Sequence, residues 1–271
     1  MFLIILSLTG AFVGILSAFF GVGGGVLIVP VLYTLFPDSP PSLVIGTSLT
    51  VIFFNSIVNT INFRRLGRKV PADWGTLLAV GMMIGVIIST YVVQHIDRET
   101  VRLIFALVLI ATGIRTLFFK APSEESNQIK NLNSLGFLYA FLTGFGGGMV
   151  AGLTGLGGGI IMVPILLTIH RLPLPYVPAF SNFAMIGGTF VGMIQYGLIA
   201  SPLAITEGIF KNFQVGSVHL AIAAIIFLSS TLTSKLGVKL SGTVSKTTSK
   251  RLFVALLIIM SGKILISIYQ K

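Results

Sequence analysis

Apolar residues run along this chain in long blocks, and the polar positions between them are few. Uninterrupted apolar stretches cover residues 2–20, 43–61, 74–93, 101–119, 135–153, 176–196, 216–234 and 252–269. Each approaches the roughly 20 residues that a helix needs to cross a bilayer. Two places break the pattern in the same way: "GVGGGVLIVP" at Gly21–Pro30 and "GLGGGIIMVP" at Gly155–Pro164. The pattern predicts an all-α polytopic membrane protein in which a short helix, over 26–36 and 160–169, follows each glycine-rich break.

Composition agrees. The chain is 54% hydrophobic and only 9% charged, with a mean hydropathy of +1.00. A soluble domain carries about a quarter charged residues. The net charge of +11 sits in short loops between apolar stretches, where basic residues act as orientation signals rather than as a nucleic-acid surface. The absence of cysteine excludes disulfides, thiol chemistry and cysteine metal sites. His95 and His170 fall in short loops without metal-ligand spacing, so no metal or cofactor is expected. The first 20 residues lack a basic n-region and a convincing small-x-small cleavage site, so they read as a retained span.

The chain aligns with itself. A shift of 134 places Thr9 and Gly10 on Thr143 and Gly144, and Gly21, Gly23, Gly24, Gly25 and Pro30 on Gly155, Gly157, Gly158, Gly159 and Pro164. A shift of 133 places Ser48 on Ser181 and Asn62 on Gln195. A shift of 149 places Arg102 on Arg251, Ala106 on Ala255 and Gly113 on Gly262. Two homologous repeats follow, at 1–119 and 135–271, joined by a polar linker at 120–134 that is expected in the cytoplasm. Weak internal repeats of this kind are a transporter signature; an old duplication kept only for packing is the alternative.

Charge orients the repeats. If each short helix climbs back from its break, each half has about five membrane segments, an odd number, and the halves are inverted. With "RRLGRK" (Arg64–Lys69) inside, thirteen basic residues lie inside and five outside, namely Arg98, Arg102, Lys211, Lys263 and Lys271. A parallel arrangement divides them ten to eight. The inverted one fits the positive-inside rule better.

A glycine break followed by a new helix leaves that helix's first N–H groups unpaired, with its positive dipole end facing the break. Backbone alone then makes an anion site, and two inverted breaks would face each other near the membrane midplane. Gly23, Gly24, Gly25, Gly157, Gly158 and Gly159 are the candidate donors. Close helix packing is the competing role for glycine, and it is the one expected for Gly81 and Gly85. Pro30 and Pro164 sit too deep to start their helices and should kink or shorten them. The motif is not a dinucleotide fingerprint, since Val26 and Ile160 occupy its sixth position, and no Lys-Ser/Thr follows to make a P-loop.

The paired segments "GVGGGVLIVPVL" and "GLGGGIIMVPIL" resemble the TauE/SafE sulfite-exporter family of membrane permeases, and "VIGTSL" at Val44–Leu49 is similar to that family's segment after the first motif. The resemblance covers about residues 8 to 268. It implies transport of a small sulfur-containing anion, sulfite or an organosulfonate, across a prokaryotic plasma membrane. The second-half counterpart of "GTSL" is "AFSN" at Ala179–Asn182, which keeps only the serine.

Around the breaks, Ser48, Asn55, Asn59 and Asn62 fall on one stripe of the helix 43–61. Their counterparts at shift 133 are Ser181, Gly188, Gly192 and Gln195. Buried amides can donate to an oxyanion without adding negative charge, or they can join helices to one another. With Asn182, these residues complete the expected substrate site: Gly23, Gly24, Gly25, Ser48, Asn55, Asn59, Gly157, Gly158, Gly159, Ser181 and Asn182. All seven acidic residues lie in loops or at span edges, so no deep carboxylate relays protons or repels an anion. His219 near a span start is expected to be structural, and Arg115 and Lys263 to snorkel toward headgroups or attract an anion. An intramembrane enzyme lacks its motifs here, a scaffold would not need two broken helices, and another small anion or organic acid remains an alternative cargo.

Overall fold

The computed structural model describes residues 2–118, 134–201 and 213–241, with parts of 243–262. In chain order it contains α1 (Phe2–Phe20), α2 (Gly25–Leu35), α3 (Pro41–Arg65), α4 (Ala72–Val93), α5 (Arg98–Phe118), α6 (Ser134–Thr154), α7 (Gly159–Thr168) and α8 (Val177–Leu198). A two-stranded hairpin, β1 (Gln214–Val215) and β2 (Val218–His219), then leads into α9 (Leu220–Leu240). Among the described residues six helices, α1, α3, α4, α6, α8 and α9, are long and apolar enough to cross a membrane, while α2 and α7 are shorter apolar helices. The expected linker and most of the 200–210 loop lie outside the described residues, as do the side chain of Arg115 and all of Lys263.

Local chemistry sets the helix ends. Pro41 opens α3, where a missing N–H and a fixed φ suit the first helical position. Gly67 (φ 79°) closes it, with Arg68 N–H donating to Phe63 O at 3.0 Å in the six-to-one bond of a Schellman turn. Asp97 caps α5 by accepting from Thr100 N–H at 2.9 Å. The seventh apolar stretch, expected at 216–234, is displaced: the helix starts at Leu220 and runs to Leu240. Residues 214–219 instead pair as strands, turning at Gly216 (φ 55°). Apolarity there marked a buried hairpin strand, and the helix begins only where His219 Nδ1 accepts from Ile222 N–H at 3.4 Å.

Small residues let the long helices meet backbone to backbone. A Cβ on Gly10 would lie 2.5 Å from Ile226 O, and one on Gly14 would strike Ser230 O, so α1 lies directly on α9. Gly144 and Gly148 press likewise on Leu78 O and Met82 O, while Gly81 and Gly85 press on Phe141 O and Phe145 O, so α4 lies directly on α6. Dispersion and close approach supply this association in a bilayer, where burying apolar surface brings little gain.

Paired positions give the directions. Gly10 and Gly14 meet Ile226 and Ser230, and Thr47, Asn55 and Asn62 meet His219, Ser230 and Ser234, so α1, α3 and α9 run the same way. Gly75, Gly187 and Gly192 meet Phe183, Ala79 and Val86, so α4, α6 and α8 run together. Between the groups the order reverses: Gly46 meets Tyr196, Gly192 meets Leu49, and Asn59 meets Asn182. Helices α3 and α8 therefore cross antiparallel at the centre.

Candidate functional site: the paired glycine breaks

Each short helix begins on a glycine that no other residue could replace without strain. Gly24 (φ 86°) caps α2 and Gly158 (φ 77°) caps α7, both in the left-handed region and neither with a side-chain cap. An ordinary N-cap sits in the β region and uses a Ser, Thr, Asp or Asn side chain to satisfy the first N–H groups. Here that side chain is absent, so the opening N–H groups of each helix are left to whatever faces them. Pro30 and Pro164 lie inside their helices, which end after 11 and 10 residues. Thr34 and Thr168 each donate to the proline carbonyl one turn back at 2.7 Å, the same device in both halves.

The two breaks are docked on one another. A Cβ on Gly25 would collide with Gly155 O, and one on Gly159 with Gly21 O. Reciprocal hydrogen bonds hold the contact: Ser48 Oγ donates to Gly155 O at 2.7 Å, and Ser181 Oγ donates to Gly21 O at 2.6 Å. Behind the breaks, Gly23 and Gly157 share two neighbours. A Cβ on Gly23 would lie 2.9 Å from Ile52 Cγ2 and 3.0 Å from Met185 Sδ, and one on Gly157 would lie 3.0 Å from Ile52 Cδ1. Ile52 and Met185 are fully buried and correspond under the 133-residue shift. The centre is therefore a ring of backbone with an apolar floor.

The polar stripe on α3 is real, and much of it joins helices. Asn59 Nδ2 donates to Asn182 Oδ1 at 3.0 Å and to Ser17 Oγ at 3.1 Å. Asn182 Nδ2 donates to Pro178 O at 2.8 Å, and Asn62 Nδ2 to Ser234 Oγ at 3.3 Å. Asn55 Oδ1 accepts from Ser230 Oγ, whose hydroxyl also reaches Phe227 O at 2.7 Å. One proton serves two acceptors there, and the buried Asn55 Nδ2 has no partner. However the amide plane is turned, one end of Asn55 is left over. The Ser56 hydroxyl and Asn59 Oδ1 are likewise buried without a partner, all within about one and a half turns of α3. An unpaired buried polar group costs about 1–3 kcal/mol, so this cluster calls for a ligand or water.

Each expected site residue thus has a location. The six glycines, Ser48, Ser181, Asn59 and Asn182 converge at the α3–α8 crossing, while Asn55 lies on the α9 side of α3. The two serines staple the breaks rather than standing free, and Asn182 belongs to the Asn59 network. Ile52 and Met185, the floor, were not among the expected residues, although the 133-residue shift relates them. The partners Ser17, Ser230 and Ser234 carried no sequence signal, because nothing local ties them to α3. His219 proves structural, as an N-cap whose own N–H donates to Thr47 Oγ1 at 2.9 Å. Loop residue His170 meets Thr143 Oγ1 at 3.0 Å and the edge of Trp74 at 5.0 Å, and burial holds its pKa below the usual value. Among the described residues no cluster of His and carboxylate groups could hold a metal ion.

Comparison with known proteins decides the family. The sequence matches the family described as "Sulfite exporter TauE/SafE" over residues 6–264. The chain belongs to the TauE/SafE family. Relatives of this TauE/SafE chain include a "Probable membrane transporter protein" of Haemophilus influenzae, 27% identical over 93% of this chain and 92% of that one. A "Probable membrane transporter protein" of Methanocaldococcus jannaschii is 32% identical over 89% and 87%, and the "Probable membrane transporter protein YunE" of Bacillus subtilis is 28% identical over 71% and 77%. No solved structure matches the chain. This TauE/SafE protein is a multi-pass integral membrane transporter, and its substrate is a small molecule.

Proposed function

We propose that this TauE/SafE protein is a secondary transporter or facilitator, not an enzyme, for a small sulfur-containing anion: sulfite or an organosulfonate. The plasma membrane of a prokaryote is its proposed location. The observation that carries the reading is the docking of two uncapped helix N-termini, Gly24–Gly25 and Gly158–Gly159, at the centre of the bundle. Both put unpaired N–H groups and a positive dipole end in the protein's middle, and the central helix α3 carries the unpartnered Asn55 Nδ2. A site built from dipoles attracts an anion without a fixed buried cation, so it need not hold the anion too tightly to release it. In the docked arrangement Gly25 and Gly159 press on the opposite break, so admitting an anion requires the halves to part. Loss of one of the two serine–carbonyl bonds, Ser48 to Gly155 O or Ser181 to Gly21 O, would accompany opening at that break.

Inverted repeats are part of the proposal. The antiparallel crossing of the corresponding helices α3 and α8 supports them, because a two-fold axis along the membrane normal would leave the pair parallel. So does the grouping of charge. Arg68 Nη1 donates to Ser241 Oγ at 2.8 Å, which brings "RRLGRK" to the same end as Lys235 and Lys239, and the Trp74–His170 contact brings Arg171 there too. A parallel arrangement would send these basic groups to opposite sides. The test of cargo is uptake into proteoliposomes holding purified protein, with labelled sulfite and competition by taurine, sulfate, acetate and chloride. Saturable uptake blocked by sulfur oxyanions supports the reading; saturable uptake blocked only by acetate assigns the protein to organic acids.

A further inference from the structure

Away from the breaks, one buried charge has no counter-charge. Arg102, in the second turn of α5, is 5% exposed. Its Nη2 lies 3.5 Å from Pro37 O, a long bond, and its Cζ lies 4.3 Å over the Tyr33 ring. Its Nε is buried without a partner. Two residues beyond Pro37, Ser39 is 2% exposed, and its hydroxyl too is buried without a partner. Among the described residues no carboxylate forms an ion pair with Arg102, and the adjacent Asp38 is exposed. A guanidinium has five N–H donors and no acceptor. Its Nε N–H is unmet and its Nη2 bond is long, and a buried charge without a counter-charge is strongly disfavoured.

The second half shows that the fold does not need this arrangement. The 149-residue shift puts Arg251 in the place of Arg102, and Arg251 is exposed. The 134-residue shift puts Leu167 in the place of Tyr33. At the corresponding described positions there is thus neither a buried cation nor an aromatic ring. We propose that Arg102, Ser39 and Tyr33 form a second anion site, which takes a small water-borne oxyanion at the far end of α2 from the glycine break. Arg102 supplies charge-assisted N–H donors, which suit the paired oxygens of a sulfur or phosphorus oxyanion. The Ser39 hydroxyl supplies a third donor, and Tyr33 holds the guanidinium plane. Burial argues for a free ion over a lipid phosphate, because the group sits inside the protein, not on a lipid-facing surface. The inference rests on the anion-transport reading for its purpose: an outer capture site about 16 Å from the break, at 1.5 Å per residue along α2.

The test is a thermal-unfolding titration of the full chain in nanodiscs of neutral phosphatidylcholine, with sodium sulfite, sulfate or phosphate against sodium chloride of equal ionic strength. The parent midpoint rises with at least one oxyanion. Charge-assisted hydrogen bonds of this kind correspond to about a ten- to hundredfold loss of affinity when removed, which is the loss expected in Arg102→Gln. Ser39→Ala loses less, and Arg102→Lys keeps part of the affinity. Parental affinity in Arg102→Gln overturns the site; should that variant not fold, parental affinity in both Ser39→Ala and Arg102→Lys does so. A parent midpoint that no oxyanion moves, or that moves only when phosphatidylglycerol replaces phosphatidylcholine, overturns it as well. Uptake measured in parallel keeps the two claims apart. Arg102-dependent binding without uptake refutes the transport reading alone, and uptake with Arg102-independent binding refutes this site alone.

Discussion

Alanine at Gly67, Gly24 and Gly158 separates backbone strain from crowding at the breaks. All three glycines have left-handed φ, at 79°, 86° and 77°. Nothing lies within 4 Å of a Cβ added at Gly67, so Gly67→Ala bears the left-handed penalty alone, about 1–2 kcal/mol. At Gly24 the Cβ would lie 2.5 Å from Val13 Cγ1. That side chain can shift, and a low-end overpacking cost brings the total to about 2–3 kcal/mol. At Gly158 the Cβ would meet the carbonyl and Cα of Gly147, backbone inside α6 that has no rotamer to change. The upper end of the overpacking range then gives about 4–5 kcal/mol. As a control, Gly146 is helical with open space around its Cβ position, and alanine there should stabilise by up to about 1 kcal/mol. Reversible unfolding of the purified variants by SDS titration in mixed micelles gives the four values. The order expected is Gly146→Ala most stable, then Gly67→Ala, Gly24→Ala and Gly158→Ala. A Gly158→Ala variant no less stable than Gly67→Ala would refute the close approach of the second break to α6.

Three further outcomes are expected. Asn55→Leu should weaken apparent affinity for the transported anion about tenfold, by removing buried donors, with a smaller loss of stability because leucine suits lipid better than an amide; initial-rate uptake and SDS titration measure both, and equal affinity would exclude Asn55 from the site. In intact cells an impermeant maleimide should label single cysteines at Asp97 and Thr206 but not at Ser126 and Ser245, and labelling at Ser245 without labelling at Thr206 would reject inverted repeats. Burial depresses the His170 pKa below its unfolded value of about 6.5, so its contribution to stability is present above that pH and is lost as pH falls through it toward the folded pKa; His170→Gln should flatten this acid limb in thermal unfolding measured against pH.

Much of the architecture was legible because it rests on local rules. Apolar length located the long helices, and the doubled Gly-x-Gly-Gly-Gly pattern located both breaks to within one residue of where α2 and α7 begin. The start of the seventh span was misplaced because a buried hairpin strand and a helix turn have the same hydropathy; only the Gly216 turn and the His219 cap separate them. At the candidate site, the spacing of Ser48, Asn55, Asn59 and Asn62 revealed the stripe but not its partners. Ser48 is bound to Gly155 O, 107 residues away, and Asn55 to Ser230, 175 residues away. Such pairings arise from packing between distant helices and leave no local periodicity. The buried environment of Arg102 was hidden for the same reason, since Tyr33 and Pro37 reach it through the fold alone.

The most direct test of the central claim compares uptake of labelled sulfite by the parent and by Gly158→Ala in proteoliposomes matched for folded protein. The parent should give saturable uptake that unlabelled sulfite competes away, and Gly158→Ala should lose it even where its folded fraction is unchanged, because the added methyl separates α7 from α6 and displaces the N–H groups at the second break. Parental uptake by a folded Gly158→Ala variant would contradict the account and leave the paired breaks as packing devices.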